Sequence, residues 1–243
     1  MKAIILCAGQ GRRLLPFTES TPKCLLSLND KHIIEWQIDA LLEVGVSKVV
    51  AVTGYSAKNI EALLQNRYQN QVECVYNPFY ELADNLASCW MAREHFSDEF
   101  ILLNGDTLFE PAVISRLLDS NGFPITLATD YKEIYDDDDM KVIAENSKLL
   151  SVGKKLQLTH VNGESIGVMK FNSSGASLFK SAIEQLMFMQ DSLQKWYLTT
   201  IDLLAKDNHV GVCSINGLDW TEVDFVQDLE IAKKLTSKWC QKR

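Results

Sequence analysis

Five residues near the amino terminus carry the first chemistry that can be read from the chain. Gly9 and Gly11 follow the apolar run Lys2 to Cys7, and Arg12, Arg13 and Lys23 add positive charge beside them. Glycines at this spacing let the backbone bend tightly and bring its amides close to a ligand that a Cβ would hold away. Guanidinium groups next to such amides suit phosphate oxygens, which they meet in a bidentate fork. The local chemistry is that of an anion site, and a polyphosphate fits it best. Two familiar phosphate loops are excluded on residues. A dinucleotide fingerprint needs a third glycine where Leu14 stands, and a Walker loop needs GxxxxGK followed by Ser or Thr.

Other groups downstream have types and positions that suit chemistry. The apolar run Phe100 to Asn104 ends in Gly105 and Asp106. A carboxylate at the end of a buried strand, beside a glycine that leaves room, is placed to hold a hard cation, or it is a plain turn aspartate. In Asn77 to Trp90, the asparagines Asn77 and Asn85 could read a base or ribose at the carboxyl end of a strand, or Asp84 or Asn85 could cap a helix. The run Asp136, Asp137, Asp138 and Asp139 is either a solvated loop or a field that attracts a cationic substrate head. Lys141 beside it could hold that substrate's phosphate, a combination suited to a zwitterionic alcohol phosphate. Trp196, Tyr197 and Trp220 either pack the ends of elements or cage a quaternary ammonium through cation–π attraction. Trp220, Glu222 and Asp224 fall at alternate positions and share one face if extended, while Asp224 also suits a helix start.

The segment LxAGxGxRL, followed by Pro and then TPK, stands here as Leu6, Ala8, Gly9, Gly11, Arg13, Leu14, Pro16, Thr21, Pro22 and Lys23. It resembles the signature loop of the nucleotidyltransferase superfamily, which joins a nucleoside triphosphate to a phosphorylated sugar or alcohol. The resemblance implies an α/β fold, a single-domain Rossmann-like three-layer sandwich with a mainly parallel mixed sheet of the nucleotide-diphospho-sugar transferase type. It implies that the loop wraps the triphosphate, that Arg13 meets the outer phosphates and that Lys23 meets the reacting α-phosphate. Asp106 and Asp224 become the ligands of a magnesium ion, Mg2+. Asn85 and Ser88 join the nucleotide site, although Asp84 stands where the related cytidylyltransferases usually carry the first of two asparagines. The stretch Gly163 to Phe171 is similar to a strand bordering the acceptor pocket, which makes Glu164 and Ser165 candidates there. The absence of a trailing repeat domain makes the chain look more like the choline-phosphate and related cytidylyltransferases than the larger sugar enzymes. The expected substrates are CTP and phosphocholine. The same chemistry on a sugar 1-phosphate, 2-aminoethylphosphonate, phosphoethanolamine, inositol phosphate or an amide-bearing phosphate is the alternative, and a noncatalytic nucleotide sensor is a further one.

These groups need a scaffold that brings both ends of the chain together. Short apolar runs at Lys2–Cys7, Lys48–Thr53, Val72–Tyr76, Phe100–Asn104 and Ile125–Thr129 alternate with helical patterns at 32–44, 56–68, from 85 and at 111–120. That alternation predicts a mainly parallel sheet covered on both faces. Met140–Ala144, Leu149–Val152 and Glu164–Phe171 read as strands of an acceptor-side extension, and 174–190 and 198–205 as helices. The expectation is one domain over 1–243, with 1–130 the nucleotide part and 131–243 the acceptor part. His32 reads as a helix-start residue without a catalytic role.

Composition bounds the partners. With 24 basic and 32 acidic residues the net charge is −8, which argues against a nucleic-acid partner or an anionic membrane surface. Six cysteines without CxxC pairing read as reduced thiols, and the chain lacks an export pattern or a membrane-length apolar run. A cytoplasmic protein is expected; a homodimer is compatible with the sequence but not indicated by it.

Overall fold

The first strand, β1 (Lys2–Leu6), has Ala3, Ile4 and Ile5 fully buried, so both of its faces are covered, as in a central parallel strand. In the computed structural model, which describes residues 1–242, the elements that follow it keep the predicted alternation. Two short strands, β2 (Ser27–Leu28) and β3 (Lys31–His32), lead into α1 (Ile33–Glu43), then β4 (Lys48–Thr53), α2 (Ala57–Tyr68) and β5 (Val72–Tyr76). Next come α3 (Asn85–Ala92), β6 (Phe100–Asn104), β7 (Thr107–Phe109), α4 (Pro111–Asp119) and β8 (Ile125–Asp130). The second half holds β9 (Lys141–Glu145), β10 (Lys148–Gly153), β11 (Gly163–Phe171), α5 (Ser173–Met187), α6 (Tyr197–Lys206), β12 (Val210–Ser214), β13 (Trp220–Glu222) and α7 (Val226–Lys242).

Among the described residues one nine-stranded sheet runs β5-β4-β1-β6-β11-β8-β12-β10-β9. The β5, β4, β1 and β6 pairings are parallel, and β12 is parallel to β8, while β11 runs antiparallel to both β6 and β8. The first residues of β11 also pair with β9, so β11, β8, β12, β10 and β9 close on themselves. Strands β8 to β12 are thus continuous with the sheet of β5, β4, β1 and β6. Two apolar layers fill the faces. One packs Phe96, Phe100, Phe171 and Phe179 under α3, α5 and α6, and the other packs Ile5, Ile38, Val49 and Leu103 under α1, α2 and α4. A third cluster, with Leu14, Trp36, Val223 and Trp239, pins the amino-terminal loop to α7.

Ser56, which by residue type and place reads as the cap of the helix predicted over 56–68, precedes α2 but makes no side-chain cap to it. Strand β12 has no counterpart in the sequence reading, because Gly211 in its middle weakens the strand pattern; a Cβ there would stand 2.3 Å from the Phe123 ring. His32 stands at the start of α1 as expected, where the Glu35 carboxylate accepts from its amide at 2.7 Å and meets its ring Nδ1 at 2.6 Å.

Candidate active site

The amino-terminal loop is fixed before any ligand is considered. Thr18, fully buried, donates its hydroxyl to Gly11 O at 2.8 Å, and Lys23 N reaches Gln10 O at 3.3 Å. Gly11 has a φ of +80°, and a Cβ on it would stand 2.7 Å from Lys23 Cβ, so glycine lets the Lys23 stem lie against the loop. Gly9 has no such constraint, since a Cβ there would meet nothing within 4 Å.

Asp106 and Asp224 are brought together by a small antiparallel ladder. β7 pairs with β13 so that Thr107 faces Glu222, and Val223 N continues the pairing to Asp106 O at 3.1 Å. The next residue is Asp224. Its carboxylate does not cap α7; Asp228 instead accepts from the Asp224 and Phe225 amides at 2.9 and 2.7 Å. This leaves Asp224 free to face the loop. Lys23 Nζ lies 2.8 Å from Asp106 Oδ2 and 2.6 Å from Asp224 Oδ1, and Arg13 Nη2 lies 2.9 Å from Asp224 Oδ2. Burial works against the Lys23 charge, but the two carboxylates outweigh it and raise its pKa. Burial likewise opposes ionisation of Asp224, and Lys23 and Arg13 overcome it to hold that carboxyl below its usual range. Glu222 is shifted the other way. Burial, then Asp106 and Asp224, push its carboxyl up to about 8, with Lys23 only partly opposing the rise.

Arg13, Lys23, Asp106 and Asp224, but not Glu222, border one cleft of about 340 Å³ at the carboxyl end of β1. Leu6, Gly9 and Gly11 line it with Arg13 and Lys23, and Asn85, Gly105, Asp106 and Asp224 form its other walls. Asp84, Asn104, Cys7 and Cys24 border it too, without having been singled out for that role from the sequence. Three expected nucleotide residues do not line it. Ala8 is buried with its carbonyl on Tyr55 N, and Ser88 is buried against the Asn77 amide at 3.1 Å. Arg12 faces a neighbouring 310 Å³ pocket with Tyr80, Glu81 and Asp84. Asn85 Oδ1 accepts from Tyr197 N at 2.9 Å, so it caps the start of α6 while lining the cleft.

The acceptor-side residues are arranged differently from the sequence expectation. The aspartates do not form one array of carboxylates. Asp136 accepts from the Asp138 and Asp139 amides, and Asp139 accepts from Asp136 N and pairs with Lys132 Nζ at 2.8 Å. The exposed Asp138 reaches outward, 3.0 Å from Lys154 Nζ and 3.9 Å from Arg13 Nη1. Lys141 is buried with its ammonium on the carbonyls of Asp136, Asp139 and Lys154, so it holds this loop together and has no ammonium to present to a phosphate. Tyr197 is fully buried and donates to Asn104 Oδ1 at 3.1 Å, which removes it from any cation cage. Trp196 carries Lys154 Nζ 5.1 Å from its ring centre, and Trp220 donates its indole N–H to Asp130 at 2.6 Å. Ser165 is buried at the bulge of β11, taking the Gly167 amide. Glu164 is buried 2.6 Å from Lys132 Nζ. Neither Lys132 nor Lys154 is marked by any sequence pattern, because their partners are set by how the loop folds.

The donors suit a hard cation. Asp106 Oδ1 is buried without a hydrogen-bond partner, and the neighbouring Asp224 supplies a second all-oxygen ligand. Among the described residues no group of three or more His, Cys, Asp or Glu side chains could hold a metal. Two carboxylates fit a magnesium ion, which keeps waters and takes phosphate oxygens rather than a full protein cage.

Residues 3–136 match the model of the MobA-like NTP transferase domain. The chain belongs to that family. This nucleotidyltransferase is 27% identical to the choline-phosphate cytidylyltransferase of Streptococcus pneumoniae over 94% of its own length and 95% of the relative's. It is 24% identical to the CTP:phosphoglutamine cytidylyltransferase of Campylobacter jejuni, with 95% and 98% of the two chains covered. Among solved structures, the inositol-1-phosphate CTP transferase of T. maritima superposes with a TM-score of 0.83 at 22% identity, covering 98% of this chain and 95% of the other. The fold is that of the nucleotide-diphospho-sugar transferases, as the loop signature implied. Among the described residues no helix is long and apolar enough to cross a membrane.

Proposed function

We propose that this nucleotidyltransferase moves CMP from CTP to the phosphate of a small phosphorylated alcohol, with phosphocholine the first candidate. The observation that carries the reading is the convergence of Lys23 and Arg13 on Asp106 and Asp224 in one cleft beside a glycine loop. The choice of CTP rests on the cytidylyltransferases that match nearly the whole chain. In the transfer an acceptor phosphate oxygen bonds to the α-phosphorus in line, the bond from that phosphorus to the β-phosphate oxygen breaks, and pyrophosphate leaves with the bonding pair. The acceptor phosphate is already ionised at neutral pH, so no side-chain base is required. Lys23 and Arg13 exchange their carboxylate partners for phosphate oxygens and neutralise charge that grows in the transition state. Asp106 and Asp224 would hold a magnesium ion, whose positive charge offsets that of the triphosphate when bound.

On the acceptor side Lys154 takes the place first considered for Lys141. Its ammonium is held by the exposed Asp138 rather than by backbone, and its field reaches Asp224. Phosphocholine is supported by the Streptococcus pneumoniae relative, and Trp196, exposed and already facing a cation with its ring, is the group available to its ammonium head. The reading as a nucleotide sensor is disfavoured by the carboxylate pair, which binding alone does not require.

The test is pyrophosphate release with magnesium, crossing four nucleoside triphosphates against phosphocholine, phosphoethanolamine, 2-aminoethylphosphonate and glucose 1-phosphate. Turnover with CTP and phosphocholine is expected. Turnover only with glucose 1-phosphate would refute the acceptor, and silence across the panel with CTP still bound would favour the sensor.

A further inference from the structure

The turn that carries Asp106 is held from the helix side by one side chain. Gln37, in the middle of α1, is 1% exposed, and its Nε2 donates to Asn104 O and to Thr107 O, both at 2.8 Å. These two carbonyls stand on either side of Gly105 and Asp106. Its neighbours on α1 are Ile34, Trp36, Ile38 and Leu41, all buried, so a leucine or methionine would suit the helix and the core at this position. A glutamine buries an amide there and leaves its Oε1 buried without a partner. Burying a polar group is unfavourable unless it is hydrogen-bonded, so the amide is accounted for by the turn it grips.

The rest of the turn is fixed from other sides. Gly105 N donates to Leu6 O at 2.9 Å, and a Cβ on Gly105 would stand 2.6 Å from that oxygen. Thr107 donates its hydroxyl to Ile166 O at 3.0 Å, and Asp106 O receives Val223 N. Gln37 spans the two ends of this turn, and so sets how the Asp106 carboxylate stands relative to Asp224.

We propose that Gln37 is a positioning residue for the metal-binding carboxylate Asp106, an inference that rests on the reading of Asp106 and Asp224 as the cation ligands. Groups that orient metal ligands without touching the metal typically change affinity about 10–100-fold when removed. Gln37→Met keeps the volume and deletes both donors; Gln37→Glu keeps the shape and faces two carbonyls with an acceptor.

The probe is Mn2+, titrated into each protein in the presence of CTP with the free ion followed by its paramagnetic resonance. Both variants are expected to bind Mn2+ about 10–100-fold more weakly, and to recover turnover when magnesium is raised, a rescue that general loosening of the core would not show. Wild-type Mn2+ affinity in Gln37→Met would overturn the proposal while leaving the proposed function standing. So would failure of both variants to fold, which would make Gln37 a residue of the core. A wild-type protein that neither binds Mn2+ nor releases pyrophosphate would overturn both readings.

Discussion

Lys23 is the residue on which the charge of the site balances. Its ammonium lies within 2.8 Å of two carboxylates from distant parts of the chain, with 13% of its side chain exposed. Removing one partner of a buried ion group leaves the other charge uncompensated, at roughly 3 kcal/mol or more, although the pair itself adds little net stability. Here Asp106 would lose its ammonium partner and Asp224 would keep Arg13 alone, with Glu222 interacting with both carboxylates. Lys23→Met should therefore lower the melting temperature in metal-free buffer, and magnesium should restore part of the loss, because a cation can take the place of the ammonium between the carboxylates. Turnover should remain about 10²-fold or more below wild type even then, since the charge proposed to meet the α-phosphate would be gone. A melting temperature indifferent to both the substitution and the metal would show that the three groups do not act as one unit. At this scale much of the site was legible in the sequence. Gly11, Arg13 and Lys23 lie within one short stretch, and the spacing itself brings them together. Lys154 and Gln37 were not legible, because each owes its place to a backbone or loop from another part of the chain.

At the scale of elements, the two-stranded ladder of β7 and β13 does what no local signal announces. It carries Asp224 back across the chain to Asp106, and its last link is the hydrogen bond from Val223 N to Asp106 O. Val223→Pro deletes that donor without touching a charge. A displacement of about 1 Å in a positioned group can reduce a rate by roughly 10²-fold, so turnover should fall by that order while the far-ultraviolet circular dichroism stays native. Unchanged turnover would mean that Val223 N does not position the pair. The alternation of Trp220, Glu222 and Asp224 did reveal an extended segment, and β13 covers its first three residues. What the alternation could not reveal was its partner, or that Asp228 would relieve Asp224 of capping α7. The aspartate run shows the same limit. Four adjacent carboxylates suggest repulsion and solvent, yet two of them fold the loop by accepting its own amides, and that choice depends on Lys132 and Lys141 arriving from either side.

Over the whole molecule, the strands of the first half and those proposed to border the acceptor share one sheet, and a buried group of charges sits where they meet. Glu164 lies at the start of β11, paired in the ladders to Asp130 of β8 and to Lys141 of β9. Burial pushes its carboxyl up to about 7, with Lys132 pulling the other way and Asp139 adding to the rise. Asp139 is held below its usual range, burial opposing and Lys132 prevailing, so the Lys132 ammonium stands 2.8 Å from an ionised Asp139 and 2.6 Å from a Glu164 whose proton titrates across neutral pH. The native state therefore binds this proton more tightly than the unfolded chain, whose glutamate titrates near 4.5. The stability it contributes is complete below that value and is lost as pH rises through about 7, in total no more than about 3 kcal/mol. Glu222, pushed up to about 8, extends the fall to higher pH, while Asp139 contributes in the opposite sense and loses its share only as pH drops through the acid range. Glu164→Gln fixes the neutral form. Urea unfolding in metal-free buffer at pH 5, 6, 7 and 8 should show wild-type stability declining relative to Glu164→Gln across that window. Parallel curves would mean that Glu164 is ionised throughout, and that the joint between the two sets of strands is a full salt bridge to Lys132 rather than a shared proton.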